Sequence, residues 1–377
     1  MAELMRAVVK SKPDIGAEMR EVPIPQPAPD EVLIRVRATS ICGTDVHIYK
    51  WDAWSQKRIG EKNLPHIMGH EMCGEVVAVG REVKRIKVGD YVSVETHIPN
   101  PSDLQFWVGQ MHIGDHMKIV GVDRAGSFAD YLAVPEIVCW RNDPYIPPEY
   151  ASIQEPLGNA TYCLLGEDGD VAGLTMVILG DGPIGLMATA LARAVGVAKI
   201  FVVGLSPTLL EIARQLGADF ILNANDPSID RVEFVKDQTG GAGADIVLEM
   251  AGASDAIQEG FRMLRKGGRL SAFGVISQEH IPLDYNDSLV FKGARVYGIN
   301  GRKMFDTWYR VRNLLTGGRL NLEPIVGSLI SLEDYEQGFG HMLANPRTVA
   351  KVVMFPEEHE LLQALNRREN KLTIEAQ

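Results

Sequence analysis

Three short segments, far apart in the chain, carry side chains that suit one divalent metal. Cys42 opens the string Cys42, Gly43, Thr44, Asp45, Val46, His47; His70 and Glu71 follow Gly69; Glu155 stands between Gln154 and Pro156. A thiolate, an imidazole and a carboxylate are all ligands that Zn²⁺ accepts, and three protein ligands with one open position describe a catalytic rather than a structural zinc. Such an ion polarises a substrate oxygen as a Lewis acid. Taken singly, each residue has a plainer reading. A lone cysteine or histidine is often core, and a glutamate before proline is often part of a turn. Spacing alone does not bring the three together.

A second signature is Gly180, Asp181, Gly182, Pro183, Ile184, Gly185. It follows an apolar run at 175–179 and opens a stretch of helical character at 184–195. In that context the pattern binds a dinucleotide. Gly180 permits a tight turn, Gly182 lets the backbone approach a pyrophosphate, and Gly185 lets helix pack on strand. The helix start, with Pro183 and Ile184, offers free N–H groups and a positive dipole end to the phosphates. The next strand usually ends in an acid that accepts from the ribose 2′-hydroxyl. Here that position is Gly204, followed by Leu205, Ser206, Pro207 and Thr208, with no arginine beside it to hold a 2′-phosphate. Ser206 and Thr208 could bond either group, so these residues leave the choice between NAD and NADP open.

Two scaffolds must position these groups. The first 150 residues read as strands between turns: 31–38 alternates polar and apolar, and 74–79 and 90–94 are bounded by glycine or turn residues. Prolines between 23 and 29 exclude a helix there. From about residue 170, strands at 175–179, 199–203, 219–222, 245–248 and 269–273 alternate with helices at 184–195, 208–216, 228–239 and 254–264. That rhythm implies βαβ units and a parallel sheet. After 298 it stops, leaving a helix at 308–315, a strand at 350–354 and a charged end from 357 that reads as a helix or a frayed tail.

At 377 residues the chain is too long for one ordinary core. A hydrophobic share of 46% with 23% charged residues is that of a soluble globular protein. A net charge of −11 without a basic run argues against nucleic acid or an anionic membrane as partner. No apolar run approaches the roughly 18 residues of a membrane span. The first ten residues lack the apolar segment of a signal peptide, so the cytoplasm is the expected location. The four cysteines, Cys42, Cys73, Cys139 and Cys163, show no paired spacing and predict no disulfide framework.

Taken together, the strings at 42–47, 69–71, 89–92 and 180–185 resemble those of the zinc-dependent medium-chain dehydrogenases, and the likeness runs from about residue 6 to 355. The resemblance implies an α/β fold. A GroES-like, mostly β catalytic domain covers 1–157, a Rossmann doubly wound parallel sheet covers 158–297, and a segment returning to the catalytic domain covers 298–377. It implies Cys42, His70 and Glu155 as zinc ligands, with Glu71 beside them in ligand exchange. Thr44 and His47 match the family's proton relay. It also implies a homo-oligomer, a tetramer in this family, and favours NAD over NADP.

Within the family the chain is most similar to the threonine dehydrogenases, through 44–49 with Trp51 and Trp54, 94–98, 154–159, 298–302 and 307–309. His97 matches a histidine beside the substrate; its plainer reading is a strand-end histidine facing solvent. The lobe at 97–122, which in relatives holds four structural-zinc cysteines, has Asn100, Asp103, Phe106 and Gly114 in their places. One catalytic zinc per subunit and no structural zinc is therefore expected, with His112 and His116 as polar surface. The implied reaction is hydride transfer from a secondary alcohol to a nicotinamide. L-threonine is the first substrate and a polyol, cyclitol or amino alcohol the second. A non-catalytic dinucleotide-binding protein on the same fold is a remote third reading.

Overall fold

The computed structural model describes residues 3–166, 169–276 and 278–375. Its dinucleotide-type sheet has six parallel strands in the spatial order Phe220–Asn223, Lys199–Gly204, Thr175–Leu179, Ala244–Glu249, Leu264–Ala272, Arg295–Gly298. In chain order this is 3-2-1-4-5-6, the doubly wound arrangement whose ligand crevice opens between the first and fourth strands. The middle strands are near-continuous apolar runs, buried on both faces by helices such as Pro183–Ala194 and Ser254–Met263. The last strand escaped the sequence reading. It is four residues at a sheet edge, mostly exposed, and so lacks an apolar signature. The helix expected from 228 begins at Arg231, because the Asp230 carboxylate accepts from the amides of Val232 and Glu233 and caps it there.

The second large sheet has seven strands. Glu31–Ser40 lies at its centre, paired with Glu71–Val79, Tyr131–Pro135 and, near its end, Lys351–Phe355. The last pairing sets Val353 against Ser40 and Met354 against Thr39, so residues from the far end of the chain meet the segment that leads into Cys42. The charged end is a helix, Glu358–Glu375, docked through Ala364 and held by ion pairs of Glu360 with Arg37 at 2.5 Å and Arg367 with Glu149 at 2.7 Å. It is not a frayed tail.

Candidate active site

The chain leaves Glu31–Ser40 and turns into the helix Gly43–Lys50, with Cys42 as its N-cap. Asp45, buried three residues on, accepts from the Cys42 amide at 2.9 Å, the reciprocal half of a capping box. Its other oxygen lies 3.5 Å from Nδ1 of His70. A carboxylate behind a histidine fixes the ring and leaves Nε2 for a metal. Burial opposes charge on His70, but the fields of Asp45 and Cys42 outweigh it and hold the imidazole's pKa well above its ordinary value. Zinc binding there would therefore release a proton.

Ligand atoms of Cys42, His70 and Glu71 all lie within 4.8 Å of one another. One oxygen of Glu71 is held 2.5 Å from the Lys351 ammonium and accepts from the Ser40 hydroxyl. The other is buried without a hydrogen-bond partner among the described residues. A buried carboxylate oxygen lacking a donor is unusual unless something else satisfies it. Lys351 also donates to the Ile41 carbonyl at 3.0 Å, so the returning strand both neutralises and aims Glu71.

Glu155 falls outside this set of three. It starts the helix Gln154–Leu165, and one of its oxygens lies 2.5 Å from the guanidinium of Arg302. Arg302 also grips Glu95 with two nitrogens, one of them at 2.7 Å, and donates to Asn159 at 2.9 Å. The Trp308 indole completes the shell of Glu95 at 2.7 Å. Glu95, Glu155, Arg302 and Trp308 are buried, and Asn159 is half-buried. Burial raises the pKa of Glu155, and Arg302 only partly reverses it; for Glu95 burial pulls the same way, but the Arg302 charge, with hydrogen bonds from Arg302 and Trp308, wins and the pKa is lowered.

His97 is buried beside Gly301, and burial together with the Arg302 charge pushes its pKa down to about 3. It is neutral at working pH and does not face solvent. Thr44 and His47 are three residues apart on one helix, and hence share a face. Thr44 is half-buried and His47 exposed, its Nδ1 2.5 Å from Asp52. Asp45, Glu95 and Arg302 lie in the family-like strings at 42–47, 94–98 and 298–302 but had no role assigned from sequence, and Lys351 was not singled out. The capping-box spacing from Cys42 to Asp45 was a usable signal; Lys351 had none.

In the lobe, His97–Ile98 pairs with Lys118–Ile119. Asp103, at one of the cysteine positions, is buried and accepts from the amide of His116 at 3.0 Å and from its Nδ1 at 2.6 Å. His116 is surface-exposed as expected, but His112 is not: it is buried edge-on against Tyr162 at 5.4 Å. The hydrogen bond raises the pKa of His116 above 6.5 and lowers that of Asp103 below 3.8. The Asp103 contribution is present above 3.8 and is lost as pH falls through its lowered value. The His116 contribution is present below 6.5 and is lost as pH rises through its raised value. Proton NMR titration of His116 should give a midpoint above 6.5 that drops in Asp103→Asn; identical midpoints would mean that the pair does not form in solution.

At the crevice of the parallel sheet, Gly180 has φ +118°, and a Cβ there would press on the backbone of Met250 and Ala251 at 3.1 Å. Gly182 caps the helix Pro183–Ala194, and a Cβ on it would meet nothing within 4 Å. That open face is where a pyrophosphate can approach the helix start, as Pro183, Ile184 and Gly185 lead away from it. Gly204 and Ser206 are buried at the end of the neighbouring strand, and Thr208 is exposed.

Residues 28–144 match the alcohol dehydrogenase GroES-like domain, and residues 183–317 match the zinc-binding dehydrogenase family. The chain belongs to the zinc-dependent medium-chain dehydrogenases. This dehydrogenase is 44% identical to an L-threonine 3-dehydrogenase of Thermococcus kodakarensis, over 95% of this chain and 100% of that protein. It is 43% identical to one of Bacillus velezensis, over 94% of this chain and 100% of that protein. Among solved structures it superposes on a zinc-binding dehydrogenase of Sinorhizobium meliloti bound to NADP, with a TM-score of 0.83, 26% identity and coverage of 94% of this chain and 100% of that one. As in the family, a GroES-like β domain and a Rossmann domain together serve a zinc and a nicotinamide cofactor. Zinc fits the cluster by its donor types, their spacing and the unsatisfied Glu71 oxygen.

Proposed function

We propose that this dehydrogenase oxidises the C3 hydroxyl of L-threonine to give 2-amino-3-oxobutanoate, with NAD as acceptor and one zinc per subunit. It works as a homo-oligomer in the cytoplasm. The reading is carried by the Cys42, His70 and Glu71 cluster at the head of the helix that bears Thr44 and His47. Near-full-length similarity to threonine dehydrogenases selects the substrate. A protein that only held a dinucleotide would have no use for this cluster of metal donors.

When bound, zinc would supply Lewis-acid polarisation of an alcohol oxygen and the nicotinamide would supply a two-electron hydride acceptor. The chain's own residues manage the remaining proton. Thr44, half-buried on the same helix face as His47, takes it from the substrate hydroxyl as its own hydroxyl proton moves on toward His47. His47, a turn later and exposed, passes it to solvent, with Asp52 fixing the ring. Glu71 and Glu155 are the carboxylates available to the metal; Lys351 restrains the first and Arg302 the second. His97, neutral, contributes a polar wall rather than an acid or base. Arg302 is engaged by Glu95 and Glu155, so the threonine carboxylate must find another anchor.

The test is a substrate panel read by absorbance of reduced cofactor: L-threonine, 3-hydroxybutanoate, 2,3-butanediol, sorbitol and inositols. Threonine should lead its non-amino analogue by at least about a hundredfold in kcat/KM, because a site built for charged groups leaves them unpaired with the analogue. A polyol or cyclitol ranking above threonine overturns the substrate assignment and promotes that class.

A further inference from the structure

We propose that Asp181, inside the glycine-rich loop, takes over the work of the missing acid at Gly204 and selects NAD(H) against NADP(H). The inference deepens the proposed function and rests on its dinucleotide site. Gly204 ends the second strand of the parallel sheet, where an acid would normally meet the adenosine ribose. That position is not an empty one. A Cβ added to Gly204 would collide with the Asp181 side chain, meeting its Cβ and Oδ2 at 2.5 Å. The carboxylate of Asp181 thus fills the volume that a side chain at 204 would occupy.

Its anchoring explains how it stays there. Oδ2 of Asp181 accepts from the amide of Leu205 at 3.0 Å and from that of Ser206 at 2.7 Å. Oδ1 has no hydrogen bond among the described residues, and the residue is only half-buried. One oxygen is therefore fixed and the other is left to accept from a ribose hydroxyl.

The same two amides have a second meaning. Successive backbone N–H groups after a strand make an anion-binding concavity, the kind of place where a 2′-phosphate is received. Here the protein's own anion has filled it. A 2′-phosphate would have to displace Asp181 or sit against its negative charge. The neighbouring hydroxyl gives no help, since Ser206 Oγ donates to the Arg347 carbonyl at 2.6 Å and accepts from the Leu209 amide at 3.2 Å as a helix cap. The Ser206 hydroxyl is thereby engaged with the protein's own backbone. Arg347 is the nearby cation to consider, but its guanidinium is tied to the carbonyls of Val349 at 2.8 Å and Ala350 at 2.6 Å.

Placement of Asp181 also sets what an engineered acid at 204 would do. With Asp181 present, Gly204→Asp should weaken binding of both dinucleotides rather than improve NAD selectivity, because the two carboxylates would contend for one volume. In the double variant Asp181→Gly, Gly204→Asp, the acid is moved back to the strand end and should restore discrimination.

The experiment measures dissociation constants of NADH and NADPH by cofactor fluorescence on the purified full chain, without turnover. Wild type should bind NADH at least about tenfold more tightly than NADPH, the worth of one hydrogen bond to a charged group. Asp181→Ala should shrink that ratio by about tenfold or more, and Asp181→Gly, Gly204→Asp should recover it. Asp181→Asn, which keeps the shape and one carbonyl oxygen for the Leu205 and Ser206 amides but puts an uncharged NH2 donor where the free oxygen was, should hold NADH while gaining NADPH. Equal binding by wild type, or an unchanged ratio in both Asp181→Ala and Asp181→Asn, overturns the assignment of Asp181 and leaves the dehydrogenase reading intact. Wild type binding neither dinucleotide overturns both.

Discussion

Cys42→Ser should lose its zinc and at least about a thousandfold in turnover, while NADH affinity stays within about threefold of wild type. The thiolate is the softest of the clustered donors, and a serine hydroxyl is a poor substitute at neutral pH. A thousandfold corresponds to about 4 kcal/mol of transition-state stabilisation, a reasonable share for a Lewis acid. The glycine-rich loop at 180–185 starts from a different sheet, so cofactor fluorescence titration should barely change. Elemental analysis should give one zinc per wild-type chain and none in the variant. Two tightly held zincs in the wild type would contradict the reading of the lobe, where Asp103 and His116 stand in for a metal cage.

Arg302→Met should cost about 3–5 kcal/mol of stability, the typical penalty for removing one partner of a buried ionic network. Arg302 is 1% exposed and compensates both Glu95 and Glu155. Without it, two carboxylates share a buried space with no cation between them. Urea unfolding followed by tryptophan fluorescence reports directly, since Trp308 donates to Glu95. Arg302→Lys should recover only part of the loss, because an ammonium cannot reproduce the forked contacts to Glu95 and Asn159. A loss below about 1 kcal/mol would mean that the glutamates protonate or find other donors, and that Arg302 does not hold the network.

Much of this molecule is written locally. The parallel sheet was legible because buried strands and amphipathic helices alternate with distinct periods, and because Gly180, Gly182 and Gly185 have residue types that a tight turn and close backbone approach demand. The metal donors were legible as types, whereas the helix Gly43–Lys50 that carries Thr44 and His47 was not read from the sequence.

Contacts between distant segments were not. Lys351 reaches Glu71, and Arg302 reaches Glu95 across 207 residues, only because separate strands and helices converge on one buried volume. Nothing near Glu71 in sequence announces its cation, and nothing near Glu155 says that it will pair with Arg302. Burial also decided His97: a strand-end histidine in sequence becomes a neutral ring under the Arg302 charge. The lesson of Gly204 is the same. Sequence determined that its acid was missing, but the fold decided that Asp181 would fill the space, because two loops from different βαβ units close on each other and one volume admits only one carboxylate.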